Sequence, residues 1–171
     1  MTGKEGLPEP WLRGTLGEVD AVRRQVLHAL ELAAEDAERW CAPLSDAEVE
    51  ARPFGLPSVG FQLRHTARSL DRLLTYAEGG QLSDGQMLKL RSEMAAGSGR
   101  EGEMGEFRSA VRRATERVRA VSPGSYEEAR GVGRARLPST VGGLLVHCAE
   151  HTQRHVGQMV TTAKVVIGMR V

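Results

Sequence analysis

The stretch HCAEHTQRHVGQM, residues 147–159, places His147, His151 and His155 four residues apart in one segment. On an α-helix, each step of four residues moves a side chain only about 40° around the axis. An apolar stripe adjoins this sector and consists of Val141, Leu145, Ala149, Val156, Val160 and Ala163. The pattern predicts a long helix over about residues 139–167, with the histidines along the edge of its buried face.

A second long helix is predicted upstream and carries another histidine, His65. It begins at Ser58, a good N-cap residue, and ends at Gly79-Gly80. Three polar residues lie within about 60° of His65 on the helix surface: Gln62, Ser69 and Tyr76. Four charged residues are expected to point away from the apolar stripe: Arg64, Arg68, Asp71 and Arg72. Packing the two apolar stripes together would bring His65 close to the other histidines.

This set of histidines suits a divalent metal ion. Imidazoles at positions i and i+4 of a helix can bind one ion at about 2.0–2.1 Å, and a third histidine from a facing helix completes a His₃ set with one open position. Imidazole nitrogen favours Zn, Ni, Cu or Fe(II) over Mg or Ca. The sequence therefore predicts a metal site. The alternative is a polar or pH-sensitive histidine cluster that holds no metal.

The two helices also share an internal similarity. Residues 58–67 (SVGFQLRHTA) align with residues 140–149 (TVGGLLVHCA) at a constant offset of 82, and the alignment pairs His65 with His147. One interpretation is a pair of pseudo-equivalent helices, each with a histidine two turns below its cap. The other is the general likeness of any two capped amphipathic helices.

The rest of the chain is predicted to form three further helices and several irregular segments. The helices cover about residues 16–42, 83–96 and 106–120; residues 97–102 form a glycine-rich loop, 122–138 an irregular loop, and 1–15 an N-terminal extension. No segment shows the sustained alternation of a strand. Five helices with short links predict an all-α bundle in a single domain, residues 1–171.

Composition excludes several classes of protein. The 23 Lys and Arg residues balance 22 Asp and Glu residues, and only 4% of residues are aromatic, so a nucleic-acid partner is not expected. No stretch approaches the ~18 consecutive apolar residues of a membrane span, and the first residues lack the apolar run of a signal peptide. Two cysteines, Cys41 and Cys148, cannot form a disulfide framework. We therefore expect a cytoplasmic protein.

The segments HTARSLDRLLTYAEG (65–79) and HCAEHTQRHVGQM (147–159) resemble the DinB/YfiT-like proteins, a bacterial superfamily. Its pattern is one histidine on the second helix and a late H-x-x-x-H, often followed by Gly-Gln. The resemblance implies an up-down-down-up four-helix bundle, with one additional short helix in this chain. It also implies a metal site at His65, His151 and His155, commonly holding Zn or Ni, and often a homodimer.

The resemblance further implies a metal-dependent enzyme, either a hydrolase or a thiol S-transferase that uses a low-molecular-weight thiol. The alternative is a non-catalytic, metal-bound helical scaffold or dimerisation module. Residues expected to support the site, or to serve as alternative ligands, are His147, Gln62, Ser69, Tyr76 and Gln158. We interpret His147 as a residue other than a ligand, and Cys148 as an inert buried thiol.

Two further expectations concern partners. Arginines 130, 134 and 136 could receive an anionic substrate or thiol, or form a solvated basic loop. The first helix has a broad apolar face, and the helix over 83–96 is expected to bury Leu82, Met87, Leu88, Leu90 and Met94. Together with a net charge of +1, these faces favour a homodimer.

Overall fold

The computed structural model describes residues 7–95 and 97–170, and 69% of the chain is helical. The helices are α1 (Ala21–Cys41), α2 (Asp46–Glu50), α3 (Val59–Ala77), α4 (Asp84–Arg91), α5 (Gly99–Ala120) and α6 (Val141–Gly168). Two strands, β1 (Ala129–Val132) and β2 (Leu137–Thr140), pair antiparallel, and short 3₁₀ turns occur at Pro10–Leu12, Pro53–Gly55 and Pro123–Ser125. The predicted helical bundle is confirmed.

The four long helices run up, down, down and up. The end of α1 meets the start of α5, where Arg100 donates hydrogen bonds to the carbonyls of Ala42 and Leu44. The start of α3 lies at the same end, because an ideal Cβ on Gly60 would approach the side chain of Glu50 to 2.5 Å. The last helix, α6, packs antiparallel to α3, because Tyr76 near the end of α3 packs with Leu144 and Gln62 near its start contacts His155.

The main core lies among α1, α3, α5 and α6 and is built largely from aliphatic side chains. Phe107 of α5 is its largest fully buried residue. A smaller cluster of Tyr76, Ala77 and Leu144 lies where α3 ends and α6 begins. In the described part of the chain, no helix has both the length and the apolar character needed to cross a bilayer.

The α3 cap is the predicted Ser58, and the α6 cap is Thr140, at the start of the range predicted for that helix. The Ser58 hydroxyl accepts a hydrogen bond from the Phe61 amide at 3.1 Å, and the Thr140 hydroxyl accepts one from the Gly143 amide at 3.0 Å. These bonds satisfy backbone donors that a helix start otherwise leaves without partners. They also set where each histidine falls along its helix.

Helix boundaries elsewhere differ from the prediction. The first helix begins at Ala21 rather than Leu16, because Asp20 accepts hydrogen bonds from the amides of Val22 and Arg23. The helix predicted over 83–96 ends at Arg91, and Ala96 lies outside the described residues. The burial expected for that region is also wrong, since Leu88 and Met94 are 67% and 66% exposed.

Two helical segments lie outside the predicted helices. Helix α2 begins with a capping box, in which Ser45 and Glu48 bond reciprocally to each other's backbone amides. Helix α5 begins at Gly99 inside the predicted glycine-rich loop, because Asp46 accepts a hydrogen bond from the Arg100 amide at 2.8 Å. A residue distant in sequence thus caps α5. The bundle therefore has two short helices, α2 and α4, instead of one.

The irregular loop predicted over 122–138 contains a small hairpin. Strands β1 and β2 pair Ala129 with Thr140 and Val132 with Leu137. The turn between them has positive φ angles at Gly133 (+70°) and Arg136 (+48°). Strands of four residues are too short to show the alternation by which a strand is recognised from sequence.

A hydrogen bond between Tyr126 and Asp20 ties the segment after α5 to the start of α1. The Tyr126 hydroxyl donates to Asp20 Oδ1 at 2.5 Å. Burial opposes ionisation of Asp20, but hydrogen bonds from Tyr126 and Arg23 outweigh it and lower the pKa of Asp20 to about 2. This stabilisation is complete above the unfolded pKa of about 4 and is lost as pH falls through about 2.

We expect Tyr126→Phe to lower the free energy of unfolding by about 1 kcal/mol at pH 7. Urea denaturation measures this loss, and the gap to the wild type should narrow as pH falls from about 4 towards 2. Tyr76→Phe is the matched control, because Tyr76 packs in the smaller apolar cluster and, among the described residues, the hydrogen bond to Asp20 is made by Tyr126. A gap that does not change with pH would contradict the role assigned to Asp20.

Candidate metal centre

Three histidines from two helices converge on one point. His65 of α3 and His151 and His155 of α6 each offer one ring nitrogen, and these three nitrogens lie within 4.8 Å of one another. The ring centroid of His155 is 4.4 Å from that of His65 and from that of His151. The antiparallel packing of α3 against α6 brings these residues together.

Hydrogen bonds orient two of the three rings. The Nδ1 of His65 lies 2.8 Å from Glu93 Oε2, and the Nδ1 of His155 lies 2.7 Å from Gln62 Oε1. Both partner atoms are oxygens that only accept, so each Nδ1 carries the proton and donates it. The Nε2 atoms of His65 and His155 are then left with free lone pairs.

The Nε2 atoms of His65 and His151 lie 3.3 Å apart. Two lone pairs at this distance repel unless a proton or a cation lies between them. Burial, followed by the neighbouring histidines, lowers the pKa values of His151 and His155 to about 4. The rings are therefore neutral at pH 7, the form that binds metals. This donor set fits a Zn, Ni, Cu or Fe(II) ion.

Glu93 is a member of the site that the sequence analysis missed. It is 5% exposed and lies in the turn after α4, within the segment predicted as helix. Its second carboxylate oxygen accepts a hydrogen bond from Arg72. Burial raises the pKa of Glu93, but the hydrogen bonds from His65 and Arg72 outweigh this effect and hold it below its usual value. No local sequence pattern marks Glu93, because its partners lie on a different helix.

Arg64 holds the turn that carries Glu93. It is 4% exposed, in contrast to the prediction that it points into water. Its guanidinium donates hydrogen bonds to the carbonyls of Glu93 and Ala95 and to the carboxylate of Glu103 on α5. The prediction fails because α5 and this turn cover the side of α3 that the helical pattern left for water.

The structure places the predicted supporting residues in different surroundings. Gln62 contacts His155 and donates to Gln158 Oε1 at 3.1 Å, so both glutamines adjoin the centre. Ser69 accepts a hydrogen bond from Arg72, which in turn donates to Glu93. Tyr76 packs with Leu144 in the smaller cluster, away from the three histidines.

His147 lies outside the group of three nitrogens. Its side chain is 42% exposed, and its Nδ1 lies 2.9 Å from Glu150 on the same helix. Its ring centroid is 5.5 Å from that of His151, so it is a neighbour of the centre. The internal similarity pairs His65 with His147, but the antiparallel packing pairs His65 with His151.

The remaining candidates are paired elsewhere, exposed or buried. Arg130 donates to the carbonyl of Ala77 and to Glu128, which ties the hairpin to α3, and Arg134 and Arg136 are exposed. Burial raises the pKa of the Cys148 thiol to about 12. This thiol is therefore protonated at neutral pH.

Comparisons with known proteins agree with this architecture. No curated protein matches the sequence. Among solved structures, a conserved protein from Enterococcus faecalis has a TM-score of 0.72 and 19% identity, over 88% of this chain and 99% of that chain. At this identity the likeness shows a shared fold. The family model of the DinB superfamily matches residues 29–159, a range that contains all three converging histidines and Glu93. The chain belongs to the DinB superfamily.

Proposed function

We propose that this protein is a divalent-metal-dependent enzyme of the hydrolase or thiol S-transferase type. His65, His151 and His155 hold the ion, with Zn or Ni as the expected metal. The observation that carries the proposal is the convergence of three imidazole nitrogens within 4.8 Å, with Nδ1 of two rings already bonded to protein oxygens. Ligating histidines characteristically have such a partner on the other ring nitrogen. The family is also associated with metal binding.

A divalent ion in this site supplies a Lewis acid, which lowers the pKa of a water or thiol so that a nucleophile forms near neutral pH. The protein residues orient this chemistry. Glu93 has one oxygen on His65 and the other on Arg72, so it positions His65. Gln62 positions His155 in the same way.

The thiol used in an S-transfer reaction must come from outside the protein. Burial raises the pKa values of both cysteines, Cys41 and Cys148, to about 12, so neither forms a thiolate at neutral pH. A small-molecule substrate, with a low-molecular-weight thiol in the transferase case, is the partner that fits. We place this reaction in the cytoplasm, where such thiols stay reduced.

Two measurements test the proposal. Protein purified without added metal should contain about one Zn or Ni per chain, and a content far below one would contradict the His₃ site. The metal-loaded protein is then screened against ester and amide panels and against low-molecular-weight thiols with electrophilic acceptors. Turnover in either panel assigns the reaction class. No turnover, with metal bound, would favour the non-catalytic scaffold.

We expect Glu93→Ala to weaken Zn²⁺ binding by about 10–100-fold, because His65 loses the acceptor that orients its ring. Titration calorimetry against a competing chelator measures the change. Glu93→Gln should lose less, because an amide oxygen can still accept the hydrogen bond from His65.

Glu106→Ala is the matched control for this prediction. Glu106 is also paired with an arginine of α3, at 3.0 Å from Arg68, but it does not contact a histidine. Its replacement should leave Zn²⁺ affinity within about twofold of the wild type. Equal losses in Glu93→Ala and Glu106→Ala would mean that Glu93 does not support the metal centre.

We also propose that the protein forms a homodimer through α4. The apolar face of α1 is used inside the bundle, whereas α4 has no buried residue and exposes Leu88 and Leu90. Light scattering at micromolar concentration should give twice the 18.6 kDa of one chain, and Leu88→Glu should return it to one chain. A mass of 18.6 kDa for the wild type would contradict the dimer.

A further inference from the structure

An open cleft adjoins His65, with Phe61 between them. It has a volume of about 280 Å³ and is lined by Arg52, Gly55, Leu56, Pro57, Phe61 and Met94. The Phe61 ring stacks on the ring of His65, with 5.5 Å between centroids and 13° between planes. Met94 directly follows Glu93, the partner of His65. One wall of the cleft therefore contacts the metal centre through Phe61.

Two apolar side chains are exposed at this cleft or next to it: Met94, which lines it, and Phe54, which directly precedes the lining residue Gly55. Phe54 is 87% exposed and Met94 is 66% exposed. Phe54 has a φ of +52° and is followed by Gly55 at +80°, so the backbone is held in the left-handed region at a residue that disfavours it. Apolar surface displayed in a concave site next to convergent polar groups is characteristic of a ligand pocket.

A single positive charge accompanies this apolar surface. Arg52 is exposed and lines the cleft, and its guanidinium forms no hydrogen bond or ion pair with the residues that the structure describes. No acidic residue lines the cleft. The neighbouring Arg154 is already paired with Glu150. The guanidinium of Arg52 is therefore available to an anionic group of a ligand.

A second cleft, of about 320 Å³, lies on the other side of Leu56 and Pro57. Gln158 lines it, and Gln158 accepts the hydrogen bond from Gln62, the partner of His155. Each cleft is thus linked to the histidine group through one lining residue, Phe61 or Gln158, and each has a volume close to the lower end of small-molecule pockets, about 300 Å³. A small molecule suits these concave sites better than the flat face of a second protein copy.

We propose that the cleft formed by Arg52, Leu56, Phe61 and Met94 binds a small amphipathic anion. Its apolar aryl or alkyl group lies against Phe61 and Met94, and its negative group pairs with Arg52. The inference builds on the proposed function and names its substrate class: an apolar molecule with one anionic group, held with its reacting atoms next to the three histidines.

The probes for the test are 8-anilinonaphthalene-1-sulfonate, which is anionic, and N-phenyl-1-naphthylamine, its uncharged counterpart. Both fluoresce when bound to apolar sites, and metal-free protein is used. We expect one sulfonate probe to bind per chain. Arg52→Gln should weaken binding of the sulfonate probe about five- to tenfold, because one charge-assisted contact is lost. The affinity for the uncharged probe should stay within about twofold of the wild type.

Two further variants complete the test. Met94→Ala should weaken the binding of both probes. Because Met94 is exposed, the substitution leaves folding intact. Arg112→Gln is the matched control, because Arg112 is exposed on α5 and has no acidic partner among the described residues. It should leave the binding of both probes unchanged.

Three results would overturn the inference: no saturable binding of the sulfonate probe, equal effects of Arg52→Gln on the two probes, or release of a dimer by the probe. The last result would assign the cleft to a second copy of the chain. These outcomes do not depend on metal binding. The proposed function fails separately if Zn²⁺ and Ni²⁺ do not bind while the expected probe pattern is observed.

Discussion

Replacing His151 or His155 by alanine is expected to abolish tight binding of Zn²⁺ and Ni²⁺. Each variant removes one of the three nitrogens that converge within 4.8 Å. The loss should therefore exceed the ~10–100-fold typical of residues that only support a ligand. Titration calorimetry measures affinity. A thermal scan gives a second readout, because added metal should raise the melting temperature of the wild type and not that of the two variants.

His147→Ala is the matched control for these variants, since it removes an imidazole from the same face of α6. The exposed His147 pairs with Glu150 and lies outside the group of three nitrogens. The His147→Ala variant should keep most of the metal affinity, with a loss of no more than ~10–100-fold. If it loses metal as completely as His151→Ala, the assigned ligand set is wrong and the internal similarity is the better guide.

Replacing Arg64 by methionine is expected to lower the free energy of unfolding by about 3–5 kcal/mol. The Arg64 and Glu103 side chains are 5% and 2% exposed, with 2.6 Å between Nη1 and Oε1. The substitution leaves the carboxylate of Glu103 buried without its positive partner. It also releases the carbonyls of Glu93 and Ala95, which the same guanidinium holds.

Urea denaturation of the wild type, the single variant and a double variant separates the cost of the unpaired Glu103 carboxylate from the cost of the released carbonyls. The double variant Arg64→Met/Glu103→Met should be more stable than Arg64→Met, because no buried charge is left unpaired. Both variants should bind Zn²⁺ more weakly than the wild type, since the turn that carries Glu93 loses its anchor. A loss below about 1 kcal/mol in Arg64→Met, the range of exposed ion pairs, would contradict this account.

The contrast between Glu93 and Gln62 shows how far sequence reasoning extends into the site. Gln62 lies one turn from His65 on the same helix, so helical spacing alone places it in the same sector. Glu93 contacts His65 from a turn 28 residues away in sequence. Nothing in its own surroundings identifies it, because the contact depends on how the segment after α4 folds back onto α3.

The sequence by itself determined the long amphipathic helices, their caps at Ser58 and Thr140, and the family. These features depend on residues within a few turns of one another, and their periodicity is visible in the chain. Tertiary structure alone decided the burial of Arg64, the start of α5 at Gly99 and the placement of Glu93. Each depends on a partner from a distant segment, such as Asp46 for α5. A polar group finds such a partner only when packing brings the segments together, since burial without one is too costly.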